Sequence, residues 1–376
     1  MKAFPVGSRL WRGSVACSRT THPREADMIP NAAPFETELT RVLGCRYPII
    51  SAGMGGPARA ELASAVSHAG GFGLLGMVRE SPETIASEVA AVRAATDRPF
   101  GVNLIPAGTK PDLLAAELDA CLELRVPAMC FFWDVYPDIV ARVKDSGTLV
   151  LYQVGSLEDA LRAEKAGADV IVAQGVEAGG HVRGSTALAT LLPEIAAHIR
   201  VPVAASGGIA TGAGLVAAFA LGASGVHCGT VFLTTHESYA HDYHKQRVIE
   251  ARAGDTVHTD IYAINWPAGS PVRVLANSVT DAARDHLFGN DPYALPREIV
   301  AHDEWGPVEK YSTISPLRST TGDLEKMALF AGESSALVNE RSSAGEVVER
   351  LMREANETLD ALLARREKNV DIGAGD

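Results

Sequence analysis

The sequence is short of cysteine, of positive charge and of uninterrupted apolar segments. Its 376 residues include five scattered cysteines and no CxxC pair. A disulfide framework or a zinc site is therefore not expected, and a reducing cytoplasm is the simplest setting. The net charge of −12 argues against nucleic acid or an anionic membrane as partner, because both attract basic patches. An anionic small molecule stays compatible, since a local pocket can oppose the overall sign.

Residues 201–236 contain no Asp, Glu, Lys or Arg, but they do not have the composition of a membrane span. Pro202 and recurrent glycines interrupt the stretch, whereas a transmembrane helix needs about 20 predominantly apolar residues in a row. The stretch is predicted to fold as strand, loop, helix and strand inside a soluble protein.

Short apolar runs alternate with alanine-rich helical runs up to residue 233. The runs predicted as strands are 47–52, 72–77, 100–105, 128–133, 149–154, 170–173, 201–205 and 225–233. They are continuously apolar, as expected of parallel strands that are buried on both faces. The predicted fold class is α/β, a (β/α)8 TIM barrel, with a doubly wound open sheet as the alternative.

The alternation ends after residue 233, and the domain prediction follows from this change. Residues 35–235 and 322–367 are assigned to the barrel, because 346–367 carries an apolar stripe at helical spacing and is expected to close it. Residues 236–321 are predicted to form a smaller inserted second domain or lid. Residues 1–34 are predicted to be a disordered extension. Their five Lys or Arg before Glu25 also suit a transit peptide.

Glycine clusters lie at the last two predicted strands, in the segments SGGIATG (206–212) and HCGT (227–230). Backbone N–H groups at such glycines can point at an anion, and a helix N-terminus behind them would add partial positive charge. Phosphate sites in barrels lie at these strand ends, so a phosphate-bearing ligand is predicted, against the alternative of tight turns alone. The GxGxxA match at 212–217 is rejected as a dinucleotide fingerprint, because no acid follows before Glu237.

A glycine-rich loop, EAGGH at 177–181, follows the sixth predicted strand. His181 is predicted to be catalytic, because a neutral imidazole can take a proton from carbon and a charged one can stabilise an oxyanion. Glu177 is expected only to hold the loop. Asn103 and Gln174 are amides at strand ends, which suit the edge of a heteroaromatic ring or cap a loop backbone.

The remaining histidines of this part of the chain are interpreted as structural. His227 lies within the eighth predicted strand and is assigned to the core. His236, His241 and His244 lie near acidic residues, but no convincing ligand set is complete, so they are assigned to a solvated helix and no metal is expected.

Several segments together resemble the nitronate monooxygenase family, also called 2-nitropropane dioxygenase-like, whose members are FMN-dependent (β/α)8 enzymes. The resemblance covers about residues 38–235 and 325–356. The matching segments are YPIISAGMGG (47–56), GGFGLLG (70–76), GVNL (101–104), AQGVEAGGH (173–181), VPVAASGGIATG (201–212), GVHCGTVFLTTHES (225–238) and the tail 331–355.

The resemblance implies that the protein binds FMN, with residues along the isoalloxazine ring, at the polar edge of that ring and around the phosphate. His181 would be the catalytic residue beside the flavin. The implied cofactor-binding residues are Ala52, Gly53, Met54, Asn103, Gln174, Gly179, Gly180, Ser206, Gly207, Gly208, Cys228, Gly229 and Thr230.

The implied activity is oxidative denitrification of alkyl nitronates, or of nitroalkanes, with O2, to a carbonyl compound and nitrite. His181 would be the base or the stabiliser of the anion, and a homodimer is compatible with this assignment. Two alternatives stay open. One is an FMN-dependent enoyl-acyl-carrier-protein reductase that uses NAD(P)H and shares the EAGGH loop. The other is a non-catalytic flavin-binding module in which His181 is structural.

Overall fold

A computed structural model describes residues 35–373, and a barrel of eight parallel strands lies at its centre. The first nine strands are β1 (Ile49–Ser51), β2 (Gly73–Gly76), β3 (Phe100–Leu104), β4 (Ala128–Phe132), β5 (Leu149–Val154), β6 (Val170–Gln174), β7 (Gly180–His181), β8 (Val203–Ser206) and β9 (Gly225–Cys228). All of these except β7 belong to the barrel, in the order β1-β9-β8-β6-β5-β4-β3-β2.

The sheet closes between its first and last strands. Ile50 and Phe72 form a parallel bridge beside β1 and β2, and the Ser51 N–H donates to the Phe72 carbonyl at 3.0 Å. The predicted (β/α)8 barrel is therefore confirmed, and the open-sheet alternative is wrong.

Helices surround the barrel in the predicted alternation. They are α1 (Glu38–Leu43), α2 (Ala60–His68), α3 (Pro82–Ala95), α4 (Pro111–Glu123), α5 (Pro137–Asp145), α6 (Leu157–Ala166), α7 (Leu188–Ala196), α8 (Gly212–Ala220), α9 (Thr230–Leu233), α10 (Asp242–Glu250), α11 (Ser278–Ala282) and α12 (Ala344–Gly373). Hydroxyl side chains cap the N-termini of several of these helices. Ser81, Ser156 and Thr211 each cap a helix by accepting a backbone N–H three residues on.

The end of the eighth predicted strand differs from the prediction. The run 225–233 was expected to be one strand, but only Gly225–Cys228 is extended and Thr230–Leu233 forms the short helix α9. The β-branched and apolar residues of this run suit a strand, but the chain leaves the barrel at Gly229 and packs its next turn in the core.

Both faces of the barrel strands are buried, which explains their continuous apolar runs. Successive side chains of a strand point to opposite faces. Leu74 and Val172 lie in one cluster with Leu39 and Leu43 of α1, which covers one end of the barrel interior. The neighbouring Leu75 belongs to the larger cluster between the strands and the helices.

The segment between α9 and α12 adds small antiparallel sheets to the barrel. Its strands are β10 (Thr256–Thr259), β11 (Val272–Leu275), β12 (Ile299–Asp303), β13 (Gly306–Glu309) and β14 (Thr321–Gly322). β11 pairs with β10 and with β7 of the barrel's own loop, and β12 pairs with β13 and β14. The division of the chain into a barrel and a lid at 236–321 stays a prediction, and residues 1–34 lie outside the described residues. Within 35–373, no helix is long and apolar enough to cross a membrane.

The contact between α12 and α8 depends on a glycine. A Cβ at Gly212 would overlap the backbone of Glu354 and Ala355 in α12. The Gly212 N–H also donates to Glu354 Oε2 at 2.8 Å. Helix packing therefore accounts for the first glycine of the GxGxxA match. The Glu354 carboxylate accepts one N–H at the N-terminus of α8, and the contribution of a helix N-terminus to the phosphate site stays a prediction.

Gly212→Ala is expected to lower the free energy of unfolding by about 1–3 kcal/mol, because an added methyl group in a closely packed contact forces the backbone of α12 to shift. Gly214→Ala, two residues later in α8, is the matched control. Its Cβ would meet no atom closer than 3.4 Å, and alanine favours the helix over glycine. Urea unfolding followed by circular dichroism compares the two variants, and equal stability would contradict the packing role of Gly212.

Candidate active site

A cavity of about 410 Å³ lies at the carboxyl ends of the barrel strands. Parallel strands bring residues that are distant in sequence together at this end. The lining includes all of the residues predicted for the site: Ala52, Gly53, Met54, Asn103, Gln174, Gly179, Gly180, His181, Ser206, Gly207, Gly208, Cys228, Gly229 and Thr230. The structure thus places these residues around one space, while the role of each in binding or catalysis stays a prediction.

One side of the cavity is built from closely approaching backbone. Gly207 and Gly208 have φ angles of +108° and +72°, a region in which side chains other than glycine are strained. A Cβ at Gly179 would overlap the backbone of Ala331 and Gly332, and the Gly332 N–H donates to Thr230 Oγ1 at 3.0 Å. Consecutive backbone N–H groups in such conformations form concave sites that suit anions.

The two predicted amides are held differently. Asn103 Nδ2 donates to the Cys130 carbonyl at 3.0 Å. Gln174 Nε2 donates to the His181 carbonyl at 2.8 Å, and its Oε1 accepts the Arg183 N–H at 3.1 Å. The Gln174 side chain therefore fixes the loop on both sides of residue 182, so the alternative that it caps a loop backbone is realised in this structure.

The loop that carries His181 is fixed on its other side by the segment after α9. β7 pairs antiparallel with β11, with His181 opposite Val272. The Arg273 guanidinium donates to the Val176 carbonyl at 2.9 and 3.1 Å. Both carboxylate oxygens of Glu177 accept the Leu188 N–H at 3.0 Å, which confirms the interpretation that Glu177 holds the loop.

His181 lies among aromatic rings. Its imidazole stacks on the indole of Trp266, with centroids 3.8 Å apart and planes at 25°. The Trp133 ring lies nearly perpendicular to the imidazole with its centroid 6.1 Å away, and the centroid of Phe330 lies 6.0 Å away. Burial, with a smaller contribution from the charge of Arg79, lowers the pKa of His181 to about 3. His181 is therefore neutral at neutral pH. Its Nε2 is buried and has no hydrogen-bond partner among the described residues.

Two residues of the site were missed in the sequence. Arg79 and Trp266 both line the cavity, and the Arg79 guanidinium carbon lies 4.7 Å from the indole centroid. Arg79 has a left-handed φ of +64°, and the residues beside it in the sequence do not predict this conformation. The signal that could have indicated Trp266 was the aromatic content of a segment that shows no βα repeat.

The interpretation of His227 as a buried residue is confirmed, but the residue also lines the cavity. Its Nδ1 lies 3.0 Å from Ser206 Oγ. Burial lowers the pKa of His227 to about 4, so the ring is neutral at neutral pH. The sequence did not reveal this second histidine at the cavity.

The interpretation of the helix at 241–244 as solvated is wrong for α10. His244 is fully buried, with Nε2 3.0 Å from the Phe330 carbonyl and Nδ1 3.1 Å from Ser315 Oγ. The ammonium of Lys245, also buried, donates to the carbonyls of Thr235 and Ser238 at 2.8 and 2.7 Å. In the part of the chain that the structure describes, no group of three or more His, Cys, Asp or Glu residues could hold a metal ion.

Comparison with known proteins agrees with this architecture. The sequence model of the nitronate monooxygenase family matches residues 36–354. A probable nitronate monooxygenase of Staphylococcus haemolyticus is 29% identical over 369 residues, covering 86% of this chain and 98% of that protein. The structure of FabK from Thermotoga maritima superposes with a TM-score of 0.76 and 31% identity, covering 88% of this chain and 99% of FabK. Nitroalkane oxidase from Streptomyces ansochromogenes superposes with a TM-score of 0.72 and 30% identity, covering 87% of this chain and 100% of that one.

Proposed function

This chain belongs to the nitronate monooxygenase family of oxidoreductases, and on that premise we propose that it binds FMN in the cavity and oxidises alkyl nitronates with O2. The observation that carries the proposal is the position of His181. A neutral imidazole whose Nε2 has no hydrogen-bond partner among the described residues lines the same cavity as the glycine-rich strand ends. This is where a base or hydrogen-bond donor can reach a small substrate above a flat cofactor.

The residues of the cavity fit FMN. A phosphate needs converging N–H groups, and the left-handed glycines 207 and 208 supply backbone that no side chain obstructs. The residues predicted for the planar ring lie together, because Gly53 packs so closely on Asn103 that a Cβ at Gly53 would overlap the Asn103 side chain. We assign Gly207, Gly208 and Thr230 to the phosphate, and residues 52–54 with Asn103 to the ring.

FMN, when bound, supplies the electron transfer, while the protein binds, orients and excludes water. Neutral His181 can accept the α-proton of a nitroalkane at Nε2, or donate a hydrogen bond from that atom to a nitronate. The overall reaction balances without an external reductant. One O2 supplies an oxygen atom to each of two nitronates, and the products are carbonyl compounds and nitrite in equal amounts.

The cytoplasm is the compartment that we propose for this reaction. The four cysteines of the described residues, Cys45, Cys121, Cys130 and Cys228, are unpaired thiols, as expected in a reducing compartment. The homodimer stays a prediction.

The proposed function is tested by oxygen uptake and nitrite release from preformed propane-1-nitronate, with FMN-loaded protein and no nicotinamide. We expect both signals to scale with protein concentration and to exceed those of the same concentration of free FMN. Failure to consume oxygen would refute the monooxygenase assignment.

The enoyl-acyl-carrier-protein reductase is the second candidate, and it is kept because FabK superposes as well as nitroalkane oxidase does. It makes the opposite prediction for the same preparation. NADPH would bleach the flavin rapidly, an enoyl thioester would restore its colour, and the nitronate would have no effect.

A further inference from the structure

Two buried nitrogen atoms beside the cavity have no hydrogen-bond partner among the described residues. They are Nε2 of His181 and Nε1 of Trp266. Buried polar atoms in folded proteins are nearly always paired, so an unpaired one requires an explanation. Here both atoms belong to rings that line the same cavity, which indicates that a ligand in the cavity interacts with them.

The packing around Trp266 holds its indole against His181. The two rings are stacked at 3.8 Å. A Cβ at Gly108 would lie 2.6 Å from Cη2 of the indole, so the glycine allows the ring its position. Arg79 Nε donates to the Gly108 carbonyl at 2.5 Å, and Arg79 also donates to the carbonyl of Asn265, the residue before Trp266. These contacts fix the two unpaired nitrogens relative to each other.

The charge beside this pair suits an anion. Among the described residues that line the cavity, Arg79 is the only Lys or Arg, and no described carboxylate oxygen lies within 4.0 Å of its nitrogens. Burial raises the pKa of the neighbouring Glu117 to about 7, so this carboxyl neutralises Arg79 only in part. The one carboxylate of the lining, Glu80, interacts with Arg59, whose guanidinium pairs with Glu304.

We propose that Trp266 is a substrate-binding residue, whose indole N–H donates to an oxygen of the nitronate group while His181 faces the α-carbon. The proposal rests on the proposed function and adds to it a specificity-determining residue from the segment after the barrel. An indole N–H can only donate a hydrogen bond, whereas an imidazole nitrogen can donate or accept. Trp266, which can only donate, is therefore assigned to the nitronate oxygen, and His181, which can accept a proton, is assigned to the α-carbon.

With a nitroalkane, the same arrangement separates the proton from the charge. The α C–H bond breaks, its proton goes to His181 Nε2, and its electron pair forms the C=N bond. The negative charge moves to the nitro oxygens, next to the Trp266 N–H and the Arg79 guanidinium. A donor at the position where charge develops stabilises the transition state.

The test compares Trp266→Phe with Tyr293→Phe in the FMN-loaded enzyme. Phenylalanine at position 266 keeps the aromatic stack but removes the N–H. Tyr293 is an 89% exposed aromatic residue with a polar hydrogen, and it does not belong to the lining of the cavity. The probe for binding is butyrate, an unreactive carboxylate with the shape of propane-1-nitronate, titrated against the flavin absorbance. We expect Trp266→Phe to raise the Kd of butyrate and the KM of propane-1-nitronate by about 10-fold or more, the loss of one hydrogen bond to a charged group. kcat should change by less, and both constants of Tyr293→Phe should stay within about 2-fold of the wild type.

A second variant tests the same role independently, in case Trp266→Phe fails to fold. Gly108→Ala leaves the indole chemistry intact but displaces the ring, so it is expected to weaken butyrate binding in the same direction. If the wild type oxidises the nitronate and both variants bind butyrate normally, the role of Trp266 is refuted. If the wild type does not oxidise the nitronate, the proposed function fails instead. The butyrate titration of the variants then still decides whether Trp266 binds an anion.

Discussion

His181→Ala is expected to keep its FMN and to lose at least about 100-fold of its turnover with propane-1-nitronate. Proton transfer or hydrogen bonding by a positioned side chain contributes about 10²–10⁴ to rate, and His181 Nε2 has no competing partner in the described structure. FMN should stay bound, because the loop is held by groups other than the imidazole. Gln174, Glu177 and Arg273 all bond to the backbone of the loop or of its continuation.

The measurement is the flavin content from absorbance, together with kcat and KM for the nitronate. His198→Ala is the matched control, since His198 is exposed after α7 and does not belong to the lining of the cavity. It should behave like the wild type. Near-normal turnover of His181→Ala would show that His181 has no catalytic role. It would favour the interpretation that the loop is purely structural.

Acidification is expected to act on stability through the buried neutral histidines His181, His227 and His244. Burial lowers the pKa values of His227 and His244 to about 4, against about 6.5 for an unfolded histidine. The contribution of each to stability is fully present above pH 6.5. It is lost as the pH falls toward 4, because the unfolded chain binds the proton first. Between pH 7 and pH 5 the loss is roughly 2 kcal/mol for each ring.

Carboxyl groups whose pKa is raised by burial, Glu117 and Glu80, oppose this trend. Burial raises the pKa of Glu117 to about 7, above the usual range of a carboxyl, so its contribution is present at low pH and lost as the pH rises through 7. The pH dependence of the total free energy of unfolding therefore combines contributions of opposite sign. A comparison of single variants at two pH values separates them.

His244→Asn isolates one of the histidines. Its cost in the free energy of unfolding, measured by urea titration of the FMN-loaded enzyme, should be smaller at pH 5 than at pH 7 by roughly 2 kcal/mol. The reason is that the wild type loses the contribution of this ring on acidification and the variant has none to lose. An equal cost of His244→Asn at the two pH values would show that His244 is not held neutral by burial.

The barrel could be predicted from the sequence because its signals are local. Apolar runs such as 149–154 and 170–173 are short, unbroken and separated by helical segments, a pattern that parallel strands buried on both faces produce. The strands run in one direction, so the residues at their ends had to meet. The grouping of Asn103, Gln174 and Ser206 around one cavity follows from that geometry.

The misassigned elements depend on long-range contacts. The run 230–233 has the composition of a strand but forms α9, because the barrel already has its eighth strand and the chain must turn away. His244 looked solvated in a polar helix, but the carbonyl of Phe330 and the hydroxyl of Ser315 cover its ring. Neither partner lies within 70 residues along the chain, so no local pattern could indicate the burial.

The sequence by itself indicated the barrel and many of the residues at the cavity, since the alternation of apolar runs with helical segments is a property of neighbouring residues. Only the tertiary structure decided the chemistry of His181. Its loop becomes the strand β7 because β11 pairs with it, and Trp266 and Phe330 arrive from distant parts of the chain to surround its ring. The low pKa of the imidazole is a consequence of that enclosure, because desolvation depends on what covers a group and not on the residues beside it in sequence.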